Sequence, residues 1–140
     1  MQIIDPKQLI IVASVALVNS DNQILIAQRP KEKHLSGLWE FPGGKVEKNE
    51  SPENTLIREL KEELNVNINQ KCVAPLTFSE FDYKEFNLLL LLYVCRRWDG
   101  DPESMENNPI KWVKSNKLRE YKMPPADESL IYCLQDLLLY

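Results

Sequence analysis

The sequence predicts an α/β protein of one domain, and three observations support this. Apolar runs of strand length recur at residues 9–18, 23–28, 73–83 and 86–98. The interval 53–64 contains no Pro or Gly and spaces its leucines along one face of a helix. A chain of 140 residues, 44% hydrophobic and 27% charged, has the size and composition of a single globular domain.

The first two apolar runs predict a β-hairpin. Residues 9–18 and 23–28 flank a turn at residues 19–22 that is rich in Asn and Asp. The polar residues 29–38 then predict a loop, which is followed by a brief alternation at residues 39–41. The Pro-Gly-Gly sequence at residues 42–44 is expected to end any strand there, because Pro lacks a backbone donor and Gly weakens strand pairing.

The first helix has recognisable signals at both ends. Ser51 is a candidate N-cap, and Pro52 suits the first helical position. Glu53 adds negative charge at the positive end of the helix dipole. Asn65 tolerates the left-handed conformation that commonly ends a helix. We therefore expect a helix from residue 52 to residue 64.

Further strands and a second helix are expected in the second half. Residues 73–83 and 86–98 predict two strands joined at residues 83–85. The leucine-rich run also suits a helix, but its shortness and its ending in Tyr, Val and Cys favour a strand covered on both faces. A polar loop at residues 98–109 precedes a short strand at 110–113. An amphipathic segment at residues 126–139, preceded by two prolines, predicts one helix.

Charge and cysteine content exclude several classes of partner. Seventeen basic and 21 acidic residues leave a net charge of −4, which argues against binding a nucleic-acid polymer over a broad basic face. Cys72, Cys95 and Cys133 have the spacing of neither a disulfide framework nor a zinc site, so a reducing cytoplasm is expected. The apolar run at residues 9–18 is too short to span a membrane as a helix and lacks a signal-peptide cleavage site.

Three glutamates of the first helix are candidate metal ligands. At about 100° per residue, Glu59, Glu62 and Glu63 fall within one arc beside the apolar stripe. Like charges this close are unfavourable, so a cation is expected to compensate them, and carboxylate oxygens suit Mg²⁺. The alternative is an ordinary solvated acidic face in which Arg58 pairs with Glu62.

The segment before this helix favours the metal-site interpretation. Gly43 and Gly44 allow the backbone to approach a ligand closely, because glycine has no Cβ. Glu50 precedes Arg58 by eight residues across the turn into the helix, where an ion pair would hold the loop and the helix together. A Gly-Gly pair by itself indicates no more than a turn.

The spacing of these residues resembles the Nudix box. Counted from Gly44, the motif continues with Glu50, Arg58-Glu59-Leu60, Glu62-Glu63 and Val66. It departs from the family pattern at Asn65, where a glycine is usual. Residues 37–47, 97–100 and 124–127 extend the resemblance to MutT-type nucleotide-pool hydrolases and to related pyrimidine-nucleotide pyrophosphohydrolases. The resemblance implies a single domain over residues 1–140, an α/β/α sandwich with a mixed β-sheet between helices.

The resemblance also implies the catalytic and metal-binding residues. A divalent cation, Mg²⁺ or in its place Mn²⁺, would be held by carboxylates and a glycine carbonyl from the set Gly43, Gly44, Glu59, Glu62, Glu63 and Glu106. Glu59 is also the candidate for orienting or deprotonating the attacking water. Arg58 and Glu50 would orient Glu59. Glu106 is matched only by its distance from Trp98, so an ordinary surface glutamate is the alternative.

Four further residues are implied to bind substrate. Arg29 would contact phosphate or base, with a solvated arginine as the alternative. Phe41 would stack on the base. Asp127 would accept hydrogen bonds from the base, at a position where oxidised-guanine relatives commonly have Asn and pyrimidine relatives commonly have Asp. His34 is a candidate contact, with an exposed loop histidine as the alternative.

The function implied by the resemblance is Mg²⁺-dependent hydrolysis of a nucleoside triphosphate to monophosphate and pyrophosphate. The favoured substrate is 8-oxo-dGTP, whose removal would keep a mutagenic precursor from DNA polymerase. CTP or an oxidised pyrimidine dNTP is the enzymatic alternative, and a non-catalytic nucleotide sensor is the alternative of another class. The expected partner is a small nucleotide, rather than a nucleic-acid polymer or a membrane, bound by a cytoplasmic monomer.

Overall fold

The computed structural model describes residues 7–33 and 35–139. These residues contain seven strands and three α-helices. The strands are β1 Gln8–Leu17, β2 Gln23–Gln28, β3 Trp39–Glu40, β4 Gly43–Lys45, β5 Val73–Asp82, β6 Phe86–Cys95 and β7 Ile110–Lys114. The helices are α1 Pro52–Leu64, α2 Pro125–Glu128 and α3 Ile131–Leu137. Two 3₁₀ helices, Gln70–Cys72 and Ser115–Glu120, precede β5 and follow β7.

The strands form two sheets, of which the larger is mixed. Its order is β4-β1-β6-β5, with β1 parallel to β6 and the other two pairings antiparallel. The smaller sheet is antiparallel, with the order β3-β2-β7. The prediction of an α/β fold is therefore confirmed. Each predicted strand is present, although β6 ends at Cys95 instead of continuing to residue 98.

Two apolar clusters lie on the two faces of the larger sheet. Alternation along β1 supplies both: Ala13, Val15 and Leu17 pack with α1, whereas Ala16 packs with α2 and α3. The buried face of α1 consists of Leu56, Leu60 and Leu64. Burial on both faces explains why the sequences of β1 and β6 are almost continuously apolar.

Helix α1 begins and ends as the sequence predicts. The Ser51 hydroxyl accepts a hydrogen bond from the Asn54 amide at 3.1 Å. Asn65 adopts φ 55° and ψ 38°, and its amide donates to carbonyls in the last turn of the helix. These two caps fix the position of the helix that carries the candidate carboxylates.

The predicted hairpin of β1 and β2 is wrong. The chain does reverse at residues 19–22, where Asn19 Oδ1 accepts hydrogen bonds from the amides of Asp21 and Gln23. Beyond one bridge between Val18 and Ile24, the two strands separate into different sheets. Both edges of β1 are already paired, with β4 and β6, so β2 pairs with β3 and β7 instead.

Two other boundaries differ from the prediction. Gly43 and Gly44 do not end a strand, because they lie within β4 and pair with β1. The expected C-terminal helix is divided into α2 and α3. The Leu130 amide donates to the carbonyl three residues earlier, a bond that tightens the turn between them. Among the described residues, no helix is long and apolar enough to cross a membrane.

Candidate active site

An ion-pair network joins the loop before α1 to the helix itself. Arg58 donates from Nε and Nη2 to the two carboxylate oxygens of Glu50, each at 2.9 Å, and from Nη1 to Glu59 Oε1 at 2.7 Å. The Thr55 hydroxyl also donates to Glu50, at 2.6 Å. The hydrogen bonds from Arg58 and then Thr55 lower the pKa of Glu50 to about 2. The predicted ion pair of Glu50 and Arg58 is confirmed.

Gly44 leaves the space that the Glu59 carboxyl occupies. A Cβ added to Gly44 would lie 2.4 Å from both Cδ and Oε1 of Glu59. The carboxyl is thus held between the Arg58 guanidinium and the backbone of β4. Its side chain is 17% exposed, so this carboxylate is fixed in position and still reaches solvent.

Glu63 lies close to Glu59 and lines a cleft together with Glu40, Glu106 and Asn108. Burial, followed by the neighbouring carboxylates of Glu59, Glu40 and Glu106, raises the pKa of Glu63 well above its usual range. Negative charge is therefore concentrated around Glu63.

Glu62 is directed to solvent instead of into the cleft. Its side chain is 62% exposed, and its Oε2 lies 3.9 Å from Arg58 Nη1. In the described parts of the chain, no three Asp, Glu, His or Cys side chains are arranged to hold a metal ion. The structure therefore brings Glu59 and Glu63 together but leaves Glu62 outside the group. The pairing of Glu62 with Arg58, which was the alternative to a metal site, is present at the limit of ion-pair distance.

The donor set of the cleft nevertheless fits a hard divalent cation. Such cations prefer oxygen ligands, and the cleft offers carboxylate oxygens of Glu59 and Glu63 next to the backbone of Gly44. Burial is the main cause of the raised pKa of Glu63, and the neighbouring carboxylate charge that adds to it is the charge that a cation would neutralise. Binding through the three helix glutamates would require the Glu62 side chain to turn inward.

The loop between β6 and β7 carries Glu106 into the cleft and is tied to the end of α1. The amides of Met105 and Glu103 donate to carbonyls in the last turn of α1, at 3.0 and 3.1 Å. Asn65 adds a bond from Nδ2 to the Glu103 carboxylate at 3.1 Å, which a glycine at this position would lack. Glu106 then lines the cleft beside Glu63.

Glu40, on the other side of the cleft, is paired with Arg29 and lies near Asp127. Arg29 Nη1 donates to Glu40 Oε2 at 2.6 Å. Asp127 is 7% exposed and so lies almost wholly within the protein. Burial, with the negative charge of Glu40 nearby, raises the pKa of Asp127 to about 7. Near neutral pH this carboxyl is therefore partly protonated, and the protonated form donates as well as accepts.

Phe41 does not present its ring to the cleft. Its side chain is 2% exposed and packs in the core cluster with α2 and α3. This burial contradicts the expectation that the Phe41 ring stacks on a base, because a stacked base needs an open ring face. His34, the fourth predicted substrate contact, lies outside the described residues.

The sequence interpretation missed Glu40. It lines the cleft with Lys33 and Asn108, in addition to its bond with Arg29. The signal was present, because Glu40 alternates with Trp39 and Phe41, which both pack against one core cluster. Successive strand residues point to opposite faces, so the charged residue between two aromatic ones faces the other way, into the cleft.

Comparison with known proteins identifies the family to which this chain belongs. A family model for the NUDIX domain matches residues 13–132. The 8-oxo-dGTP diphosphatase of Escherichia coli K12 is 33% identical over 124 residues, which cover 85% of this chain and 91% of that protein. The CTP pyrophosphohydrolase of the same organism is 32% identical over 117 residues, with coverages of 83% and 84%.

Solved structures show the same fold. The solution structure of the E. coli ORF135 protein has a TM-score of 0.81 at 30% identity, and the match covers 94% of this chain and 91% of the ORF135 chain. A MutT structure from a study of Aliivibrio salmonicida and Vibrio cholerae has a TM-score of 0.77 at 32% identity, with coverages of 93% and 99%. The chain therefore belongs to the NUDIX domain family. Within that family it is a Nudix hydrolase of the MutT type.

Proposed function

We propose that this protein is a Mg²⁺-dependent pyrophosphohydrolase that converts 8-oxo-dGTP to 8-oxo-dGMP and pyrophosphate. The observation that carries the proposal is the fixed position of Glu59, between the Arg58 guanidinium and the space above Gly44. Relatives at 33% and 39% identity, from E. coli and Proteus vulgaris, are named 8-oxo-dGTP diphosphatase. Removing the oxidised nucleotide would prevent its incorporation during DNA replication and so avoid mutations.

Glu59 is the residue that we assign to the attacking water. Arg58 donates to one carboxylate oxygen of Glu59 and so fixes the orientation of that carboxylate, while Glu50 holds Arg58. Glu59 accepts a proton from water as the water oxygen bonds to an inner phosphorus and the anhydride bond breaks, with pyrophosphate leaving. Arg58 and Glu50 act through Glu59 and are positioning residues.

The cation would be held by carboxylates and by a glycine carbonyl, from the set Gly43, Gly44, Glu59, Glu62, Glu63 and Glu106. When bound, it neutralises charge on phosphate oxygens and lowers the pKa of bound water. We propose Mg²⁺ because it is commonly held by a few carboxylates together with substrate phosphates. Mn²⁺ prefers the same oxygen donors and is the alternative.

Asp127 supports 8-oxo-dGTP and also a second candidate, CTP or an oxidised pyrimidine nucleotide. The protonated carboxyl donates and accepts, as does the amide common in oxidised-guanine relatives, and the raised pKa of Asp127 favours this form. The similarity to a CTP pyrophosphohydrolase supports the second candidate. Arg29, beside Glu40, and His34 are proposed as further substrate contacts.

The remaining proposals concern the state in which the protein acts. We propose that residues 1–140 form one domain, which acts as a cytoplasmic monomer on free nucleotides and not on nucleic-acid polymers or at a membrane. The net charge of −4 supports a small-molecule substrate over a polymer. The presence of Glu59, Glu62 and Glu63 argues against a sensor that has lost catalysis.

Pyrophosphate release with Mg²⁺ tests the proposed function. The substrates are 8-oxo-dGTP, dGTP, 5-hydroxy-dCTP, CTP and ADP-ribose, and we expect the highest kcat/KM with 8-oxo-dGTP. Chelation of the metal should stop the reaction, and Glu59→Gln should lower kcat by about 100-fold or more while nucleotide binding persists. A preference for a cytosine nucleotide would establish the second candidate, and turnover of no nucleotide would refute both.

A further inference from the structure

Glu106 is the middle residue of a five-residue turn, residues 104–108, which its two end residues close. The Ser104 hydroxyl donates to Asn108 Oδ1 at 2.7 Å and accepts from the Asn108 amide at 2.9 Å. Asn107 adopts the left-handed conformation, with φ 58°, which lets the chain reverse at this point. The turn is therefore defined by its own hydrogen bonds.

The remaining polar group of the Asn108 side chain joins this turn to β2. Its Nδ2 donates to the Gln28 carbonyl at 2.8 Å, and the Gln28 amide donates to the Pro109 carbonyl at 2.9 Å. Gln28 is the last residue of β2, and the pairing of β2 with β7 ends one residue earlier, at Ala27. Asn108 thus continues the attachment to β2 beyond the paired strands.

The other side of the turn is attached to α1. The Met105 amide donates to the Glu63 carbonyl at 3.0 Å. Glu106 therefore follows directly after a residue bonded to α1 and precedes by two positions a residue bonded to β2. Glu63, Glu106 and Asn108 all line the cleft. Groups of this chain thus hold the turn from both sides, next to a carboxylate of α1.

A carboxylate held in this way binds a cation at a lower entropic cost. A polar connection such as residues 98–109 is ordinarily among the more mobile parts of a fold. If Glu106 were on a mobile segment, binding a cation would also have to restrict the backbone around it. In a turn that is already closed, this entropy is lost on folding, and more of the interaction energy remains for binding.

We propose that Asn108 is a positioning residue, which holds Glu106 beside Glu63 as a ligand for the divalent cation. Asn108 acts through Glu106 and not by contact with the cation. This inference rests on the proposed function, because it takes Glu106 to be one of the ligands of the cation. It gives a role to an amide side chain that the sequence pattern does not single out.

Asn108→Ala tests the proposal, because it removes both side-chain hydrogen bonds of Asn108. We would measure the Kd of Mn²⁺ without nucleotide, from the electron paramagnetic resonance signal of the free ion. We expect the Kd to rise about 3- to 10-fold, the effect of losing about one net hydrogen bond from the arrangement that binds. An unchanged Kd would overturn the inference.

A double-mutant cycle with Glu106→Ala distinguishes positioning from a general loss of structure. Glu106→Ala should itself raise the Kd of Mn²⁺, because it removes a ligand. If Asn108 acts through Glu106, adding Asn108→Ala to this variant should change the Kd by less than about 2-fold. An equal weakening by Asn108→Ala in both backgrounds would show a role independent of Glu106 and would overturn the inference.

Asn69→Ala is the matched control. Asn69 Oδ1 accepts a hydrogen bond from the Lys71 amide at 2.9 Å, so this asparagine also closes a turn. It is not among the described residues that line the cleft. The Kd of Mn²⁺ should therefore be unchanged in Asn69→Ala, and a rise equal to that of Asn108→Ala would contradict a specific role for Asn108.

Ser104→Ala provides a second variant for the case that Asn108→Ala does not fold. It removes the bonds that close the turn and keeps the bond from Asn108 to β2. The Kd of Mn²⁺ should rise about 2-fold or more, since the turn is then held at fewer points. No rise in a folded Ser104→Ala protein would overturn the inference.

These binding measurements also separate the inference from the proposed function. Coupling between Asn108 and Glu106 in Mn²⁺ binding, in a protein that hydrolyses no nucleotide, would support the inference and refute the function. Normal hydrolysis without that coupling would do the reverse. A wild-type protein that binds no Mn²⁺ would overturn the inference together with the cation site on which it rests.

Discussion

Replacing Gly44 by alanine would place a methyl group where the Glu59 carboxyl now lies. The added Cβ would be 2.4 Å from Cδ and Oε1 of Glu59 and 2.8 Å from its Cγ. Favourable contacts between such atoms begin near ~3.5 Å, so the carboxyl must move by about 1 Å. The obstructing group is the end of a flexible side chain, so the backbone of β4 can stay in place.

We expect this displacement to lower kcat about 100-fold, because moving a reacting group by about 1 Å can lower the rate of an enzymatic reaction by about that factor. The free energy of unfolding should change by less than ~1 kcal/mol, since Gly→Ala at an unstrained position also reduces the entropy of the unfolded chain. Activity and stability should therefore respond separately to Gly44→Ala.

The assay is pyrophosphate release at saturating nucleotide and Mg²⁺, with thermal unfolding measured on the same samples. Gly43→Ala is the matched control, because its Cβ would lie 2.0 Å from the Ala13 carbonyl oxygen and 2.7 Å from Ser14 Cα. Both are backbone atoms of β1, so this variant should lose more than ~2 kcal/mol of stability. A folded Gly44→Ala protein with the wild-type kcat would refute the argument that the position of Glu59 sets the rate.

Two further predictions concern titrating carboxyls. The pKa of Glu50 is lowered from 4.5 to about 2, so its contribution to stability is complete above pH 4.5 and is lost as the pH falls towards 2. Glu50→Gln should flatten that part of an acid unfolding curve and lower kcat with little change in KM; an unaltered acid limb would contradict this. The pKa of Asp127 is raised from 3.8 to about 7, so the folded state binds more protons and stability falls as the pH rises between these values. Asp127→Asn should therefore raise the Tm more at pH 8 than at pH 5, and equal shifts would exclude a raised pKa in the folded protein.

The helix that carries the carboxylates could be predicted because its signals are local. Ser51 and Asn65 mark its ends through bonds to the nearest turns, and 3.6-residue periodicity places its leucines on the sheet. The ion pair of Glu50 with Arg58 was likewise predictable, since only one turn separates the loop from the helix.

Features that depend on distant partners could not be predicted in this way. The turn at residues 19–22 shows that the chain reverses, but not that β1 is already paired on both edges. An aromatic residue beside a Gly-rich turn can stack on a nucleobase or pack in the hydrophobic core. Packing with α2 and α3 places Phe41 in the core. Helical angles put Glu62 near Glu59, but the rotation of its side chain towards Arg58 is set by local charge.

The parallel pairing of β1 with β6 sets an order in which the chain can fold during synthesis. β4 and α1 follow β1 closely and can pack on it early, but β6 joins it from residue 86 onward. The pairing of two strands so far apart in the sequence is slow, because the intervening chain loses conformational entropy when its ends are brought together. The loop that carries Glu106 leaves the ribosome later still, and Asp127 follows it. A nascent chain therefore has the helix that carries Glu59 well before it has a closed cleft, and a truncated product would expose apolar residues of β1.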